Sequence, residues 1–131
     1  MTSYDSQIAS RAGTLVKAQK GKGHEKAYRS LCESLPFMLY HSGLLKTVAF
    51  LEHKAIKTGE YAALVSDIES QFKCLNLPVP TREAVSAFAT SKELRLNMVL
   101  ATRVALWHKR VAQAILERDE QVKPTDQKGQ S

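Results

Sequence analysis

The sequence predicts an all-α fold, a bundle of several helices, and three observations carry that prediction. Apolar residues recur at three- and four-residue spacing in almost every segment. No segment alternates apolar and polar residues as a half-buried strand does. Glycine and proline are few, 6 and 4 in 131 residues, and sit between the periodic stretches. The length suits one compact domain and no Ser/Pro/Gly-rich linker divides it, so residues 1–131 are expected to form a single helical domain.

The first helix is expected over about Ser6 to Lys20. Ile8, Ala12 and Leu15 form its apolar stripe, and Gly21 and Gly23 end it. A second, over about Glu25 to Ser34, places Ala27, Tyr28, Leu31 and Leu35 on one side. Proline suits the first turn of a helix, so a short separate helix is expected from Pro36 to His41, with Ser42-Gly43 as a corner. The next helix runs to about Lys57. Its stripe is Leu44, Val48, Leu51 and Ala55, with Leu45, Ala49 and Ile56 beside it, and all of these are expected to bury. After Thr58-Gly59, the residues Tyr61, Leu64, Val65, Ile68, Phe72 and Leu75 follow helical spacing. "NLPVPT" reads as a rigid turn and "REAVSAFA" as a short helix. Thr90 and Glu93 form a capping box for the last and longest helix, which should reach about Glu120. The polar tail, about 121–131, is expected to fray.

Composition narrows the function classes. The net charge is +6 and the pI about 9.4, a balance that attracts polyanions, an acidic protein or an anionic surface without choosing among them. No apolar stretch approaches the ~20 residues of a membrane span, and "MTSYDSQIAS" does not read as a signal peptide, so a cytoplasmic protein without membrane contact is expected. Cys32 and Cys74 form no CxxC and are expected to sit reduced in the helical core. HExxH, Gly-rich phosphate loops and GxSxG are absent. His24, His41, His53 and His108 show no metal-ligand spacing, and the acids read as solvated helix faces. No catalytic residue, metal or cofactor is therefore expected.

Two helices carry basic faces. In the last one, Leu94, Met98, Leu100, Ala101, Val104, Ala105, Val111, Ala112, Ile115 and Leu116 cover one wide arc, with Trp107 at its margin. His108 and Asn97 point into that arc as hydrogen-bonded core polar groups rather than ligands, since eleven residues of helix separate them by ~16 Å. Lys92, Arg103 and Arg110 line the opposite side, flanked by Arg95 and Lys109. Val99 and Leu106 sit among them, where water-facing residues should be polar, so the face looks covered by something. In the Gly43–Lys57 helix, Phe50 shares a face with Lys46, Lys54 and Lys57. That pattern fits backbone contact with stacking on nucleic acid. It fits equally a helix packed on both sides, with lysine stems over a buried ring. The second is favoured for Phe50 and the first for the lysines. Further lysines, Lys17, Lys20, Lys22 and Lys26, cluster around the first break.

"SGLLKTVAFL", Ser42 to Leu51, resembles the "GL..T.AFL" signature of the small α-helical subunit of type III-B CRISPR effector complexes, the Cmr complexes. "LWHKRVAQAI", Leu106 to Ile115, resembles that family's "W-x-K-R-x-A" segment, and "SLPFMLYHSG" its proline-entered helix. The resemblance covers Tyr28 to Glu117. It implies a non-catalytic scaffold whose copies stack as a second filament beside larger subunits and help hold the guide RNA–target RNA duplex. It also implies a corner at Gly43, close helix approach at Ala49 and Ala112, and packing at Trp107. Leu44, Thr47 and Phe50 also match the pattern. Lys109 and Arg110 become RNA candidates through the resemblance. Arg103, Lys46, Lys54 and the Lys17, Lys20, Lys22 and Lys26 cluster are added from charge geometry. Val99, Leu106 and Phe50 are the candidate contacts between subunits. The alternative reading is a helical protein–protein adaptor with an acidic partner and no nucleic acid.

Overall fold

The structure is a computed structural model that describes residues 3–77 and 91–117, with side chains in the last helix from Arg95 onward. Among these residues it is all-α, with four helices: α1 (Tyr4–Lys17), α2 (Glu25–Ala55), α3 (Gly59–Cys74) and the long C-terminal α4 (Ser91–Ile115). The expected helix within 82–89, the cap at Thr90 and the tail lie outside the described residues. α2 is the spine: α3 and α4 both pack on it, and α1 lies on α4.

Apolar spacing places the helices, and burial fixes their rotation. Ile8, Ala12 and Val16 bury the inner face of α1, which the Ser3 hydroxyl caps by accepting from the Ser6 N–H at 3.1 Å. Tyr28, Leu35, Leu51, Leu64, Phe72 and Leu100 are almost wholly buried where α2, α3 and α4 meet. Ala112 is buried, as close helix approach requires.

Several expectations are corrected. Pro36 does not start a new helix: α2 continues through it, and the only non-helical residue inside is Gly43, at φ 81° and ψ 169°. An interior proline costs about 3 kcal/mol. Its neighbours Leu35 and Leu39, 2% and 3% exposed, are each worth about 1.5–3 kcal/mol when buried, and they stay in phase only if the helix runs on. The corner at Gly43 is as expected, in a backbone region essentially restricted to glycine. Thr47 spans it by donating its hydroxyl to the Met38 carbonyl at 3.1 Å. That gives the buried Thr47 a physical role in the "GL..T.AFL" segment.

Ala49 and Ile56 are exposed rather than buried, Ile56, just past the end of α2, at 73%. Cys74 is also exposed: it ends α3 on the outer surface beside Ser10 and Thr14, whereas Cys32 is buried as expected. Two acids are not on solvated faces. Asp67 and Glu25 are 5% and 7% exposed, and both hold polar partners described below.

Candidate nucleic-acid interface

The described end of α4 is set by residues roughly ninety positions earlier, not by α4 itself. Helices leave their last carbonyls unpaired. Here Lys20 Nζ donates to the Ile115 carbonyl at 3.0 Å and Arg29 Nη1 to the Leu116 carbonyl at 3.3 Å. The Glu25 carboxylate accepts from the Glu117 N–H at 2.7 Å with one oxygen and from the Gly21 N–H at 2.8 Å with the other. Those two backbone bonds, Glu117 first, hold its carboxyl below the usual range. The helix therefore stops at Ile115, short of the expected Glu120. The clamp also fixes the connection between α1 and α2, where Gly21 takes φ 83°.

That connection carries the lysine cluster. Lys17, Lys22 and Lys26 are exposed and make no salt bridge among the described residues, whereas Lys20 is occupied in the clamp. No large apolar side chain between Asp5 and Pro36 is exposed. Beneath the loop lies a buried polar pair: the Tyr28 hydroxyl donates to Asp67 Oδ2. Burial raises the Asp67 carboxyl to about 6, against the Tyr28 hydrogen bond and the charge of Lys22. Burial likewise pushes the neighbouring Cys32 thiol up to about 12, so it is an inert core group rather than a nucleophile.

The outer face of α4 is different. Arg103 and Arg110 are exposed as expected, but Lys109 is half-buried. Val99 and Leu106 are 50% and 46% exposed, and Leu96, which the sequence reading passed over, joins them at 51%. The signal for Leu96 was its place three residues before Val99 and seven before Arg103, on the same helix direction. The inner face carries His108, fully buried, with Gln71 Nε2 3.0 Å from its Nε2 and 3.1 Å from the Ile8 carbonyl. Gln71 thus donates to both, the ring is neutral with its proton on Nδ1, and burial lowers its pKa to about 4. Asn97 is also buried, about three turns earlier in the same arc.

The remaining candidates lie elsewhere. Phe50 is 42% exposed, neither wholly covered nor free. Its ring meets Tyr61 of α3 edge-on at 5.9 Å, and Lys54 Nζ lies 5.9 Å from one ring and 6.0 Å from the other. Lys46 is exposed on the same side of α2. An open groove of about 530 Å³ adjoins them, lined by Leu31, Phe37, Met38, Phe50, Glu60 and Tyr61 among others. The basic residues therefore divide into three groups: the α1–α2 loop, the outer row of α4, and the groove side of α2. Among the described residues, no three His, Cys, Asp or Glu side chains converge as a metal site, and no helix is long and apolar enough to cross a membrane.

Comparison with known proteins gives the chain its kin. No curated protein sequence matches significantly. In fold it is similar to a CRISPR-associated Cmr5 family protein from Thermus thermophilus, with a TM-score of 0.75 and 24% identity, covering 89% of this chain and 100% of that one. The family described as CRISPR-associated protein (Cas_Cmr5) matches residues 4–115. That span runs from the first residue of α1 to the last of α4, and the chain belongs to the Cmr5 family of CRISPR-associated proteins.

Proposed function

We propose that this small Cmr subunit is a non-catalytic scaffold of a type III-B, RNA-guided RNA-targeting effector complex in the cytoplasm. It associates with the other Cmr subunits, stacks with copies of itself, and holds the guide–target duplex by its phosphates. The observation that carries the RNA contact is the pinned loop. Lys17, Lys22 and Lys26 stand exposed, without a salt bridge among the described residues and without exposed apolar neighbours, on a backbone clamped to α4. Such a surface suits phosphate. An A-form duplex hides its base edges, and pairing already reads the sequence, so the protein needs only fixed positive charge at backbone spacing. Lys109, half-buried on α4, is a further candidate contact. Arg103 and Arg110 share their row with Leu96, Val99 and Leu106, which favours a protein contact there and supports the stacking part of this reading.

Salt titration of binding to an RNA duplex tests the phosphate contact. Three to four neutralised phosphates give a log–log slope of about −3. A flat response, or no binding at about 50 mM salt, removes the RNA role. Purification from the native host tests the assembly: guide RNA and larger subunits should come with the chain, and recovery with an acidic protein alone would favour the adaptor.

A further inference from the structure

Lys17 ends α1, Lys22 lies in the connecting loop and Lys26 is in the first turn of α2, so three separate segments carry the exposed lysines. Their common spacing depends on whatever ties those segments together. The tie is an acid. Glu25 is 7% exposed, and its two carboxylate oxygens reach in different directions. One accepts the Gly21 N–H at 2.8 Å and closes the loop back onto α2. The other accepts the Glu117 N–H at 2.7 Å and joins that turn to the end of α4. Gln19 braces the same loop, with its Oε1 2.8 Å from His24 Nε2. Lys20 and Arg29 hold the last carbonyls of α4. Of these groups, only the Glu25 carboxylate bonds the loop backbone and the α4 backbone at once.

We propose that Glu25 is a positioning residue for the RNA contact: its carboxylate ties the loop to α4 and so holds Lys17, Lys22 and Lys26 at a spacing that phosphates can meet. This rests on the phosphate contact proposed above and adds that an acid inside the basic surface is required for it. Charge alone argues the opposite. A carboxylate among lysines repels phosphate and offsets part of their attraction, so its removal should help binding. Geometry outweighs that repulsion here. The carboxylate is buried, and its charge is already shared with two N–H groups and with the nearby Lys20 and Lys26. A loop without the tie must be ordered when RNA arrives, and that ordering is subtracted from the binding free energy. Linkage also runs in reverse: if the tie favours bound RNA, bound RNA strengthens the tie.

Glu25→Gln tests this, because glutamine has the same shape, a single acceptor oxygen and no charge. The full chain, shown to be folded by circular dichroism and melting, is titrated with an RNA duplex at several salt concentrations. Charge alone predicts tighter binding. The positioning role predicts binding about tenfold weaker, with the salt slope shallower by about one unit. A merely structural role would lower the melting temperature and leave the slope of the folded protein unchanged. Glu117 supplies a matched pair that leaves Glu25 and the lysines intact. Glu117→Pro deletes the N–H that Glu25 accepts, and Glu117→Gln keeps it, with the same loss of one negative charge. The first should match Glu25→Gln, and the second should bind at least as tightly as wild type. In the wild type, a short duplex should slow hydrogen exchange at the Gly21 and Glu117 amides. If Glu25→Gln fails to fold, the Glu117 pair and the exchange measurement decide. A Glu25→Gln protein that binds as tightly as wild type or tighter, with an unchanged slope, overturns the proposal. Equal losses in both Glu117 variants overturn it too, as does exchange at the two amides that RNA leaves untouched. A wild type with no salt-dependent binding overturns the phosphate contact and this inference with it, a result distinct from binding that ignores Glu25.

Discussion

The α1–α2 loop and the outer face of α4 are both basic, and charge alone would assign them the same role. What separates them is the company the charges keep. Around Lys17, Lys22 and Lys26 there are glycines and polar side chains. Around Arg103 and Arg110 there are Leu96, Val99 and Leu106, each about half exposed. Phosphate gains little from apolar neighbours, whereas a protein partner gains from burying them. The difference also reaches inward. The loop rests on the Tyr28–Asp67 pair, and the α4 face has His108 and Gln71 on its buried side. A surface is thus read from its neutral residues as much as from its charges.

The largest expected effect breaks the comparison directly. Replacing Lys17, Lys22 and Lys26 together by Glu should weaken binding to an RNA duplex on the order of 100-fold at low salt. The salt slope should fall by about one unit per lysine. Replacing Arg103 and Arg110 by Glu should cost less than about tenfold, through general repulsion. Filter-binding titrations at several salt concentrations compare the two variants. If the arginine pair costs as much as the loop lysines and carries the same slope, the two regions are one RNA surface.

The supports beneath the two regions should carry opposite pH signatures. His108 has its pKa lowered from 6.5 to about 4 in the folded protein. The unfolded chain therefore binds that proton first, and stability is lost as pH falls from about 6.5 through 4. Asp67 is raised from 3.8 to about 6. Its contribution is full below 3.8 and lost as pH rises through 6. Each difference is worth on the order of 3 kcal/mol. The two oppose one another between about pH 4 and 6, so the wild-type profile should be shallow there. Asp67→Asn keeps an acceptor for the Tyr28 hydroxyl and removes one of the two titrations. Its stability should climb with pH from 4 to 6.5, on the order of 2–3 kcal/mol by urea denaturation. A profile that stays parallel to wild type would mean that Asp67 does not titrate in this window.

Much of this was legible before any coordinates. Periodicity placed α1, α3 and α4, and Gly43 marked the corner. The opposed faces of α4 followed from one helical wheel. Other features were hidden for a physical reason, because they depend on residues distant in sequence. Pro36 argues locally for a helix start, and only the packing of Leu35 and Leu39 shows why α2 continues. The described end of α4 at Ile115 is imposed by Lys20, Glu25 and Arg29. The groove needs two helices to exist. Asp67 and Gln71 were readable: both fall at i+3 and i+7 from Leu64, on the stripe that buries α3, so a solvated reading of that acid was inconsistent with its phase. Leu96 lay on the same row as Val99 and was equally visible.

The smallest expected effect sharpens the contrast between the two faces of α4. Leu100 and Leu106 are the same residue type six positions apart on one helix. Leu100 is 2% exposed and Leu106 46%. Leu100→Ala removes packed methyl groups from the core, which typically costs 2–5 kcal/mol. Leu106→Ala removes a side chain already half in water, and alanine is the better helix former, so the fold should change by no more than about 0.5 kcal/mol. The near absence of a stability cost is the informative result. A large apolar side chain held half in water, in a row with two others, adds little to the isolated fold, so its use lies in contact with something else. Thermal denaturation of the dilute chain measures it. A loss of 2 kcal/mol or more in Leu106→Ala would mean that the residue is already covered within its own chain, and the outer face of α4 would cease to be an open surface.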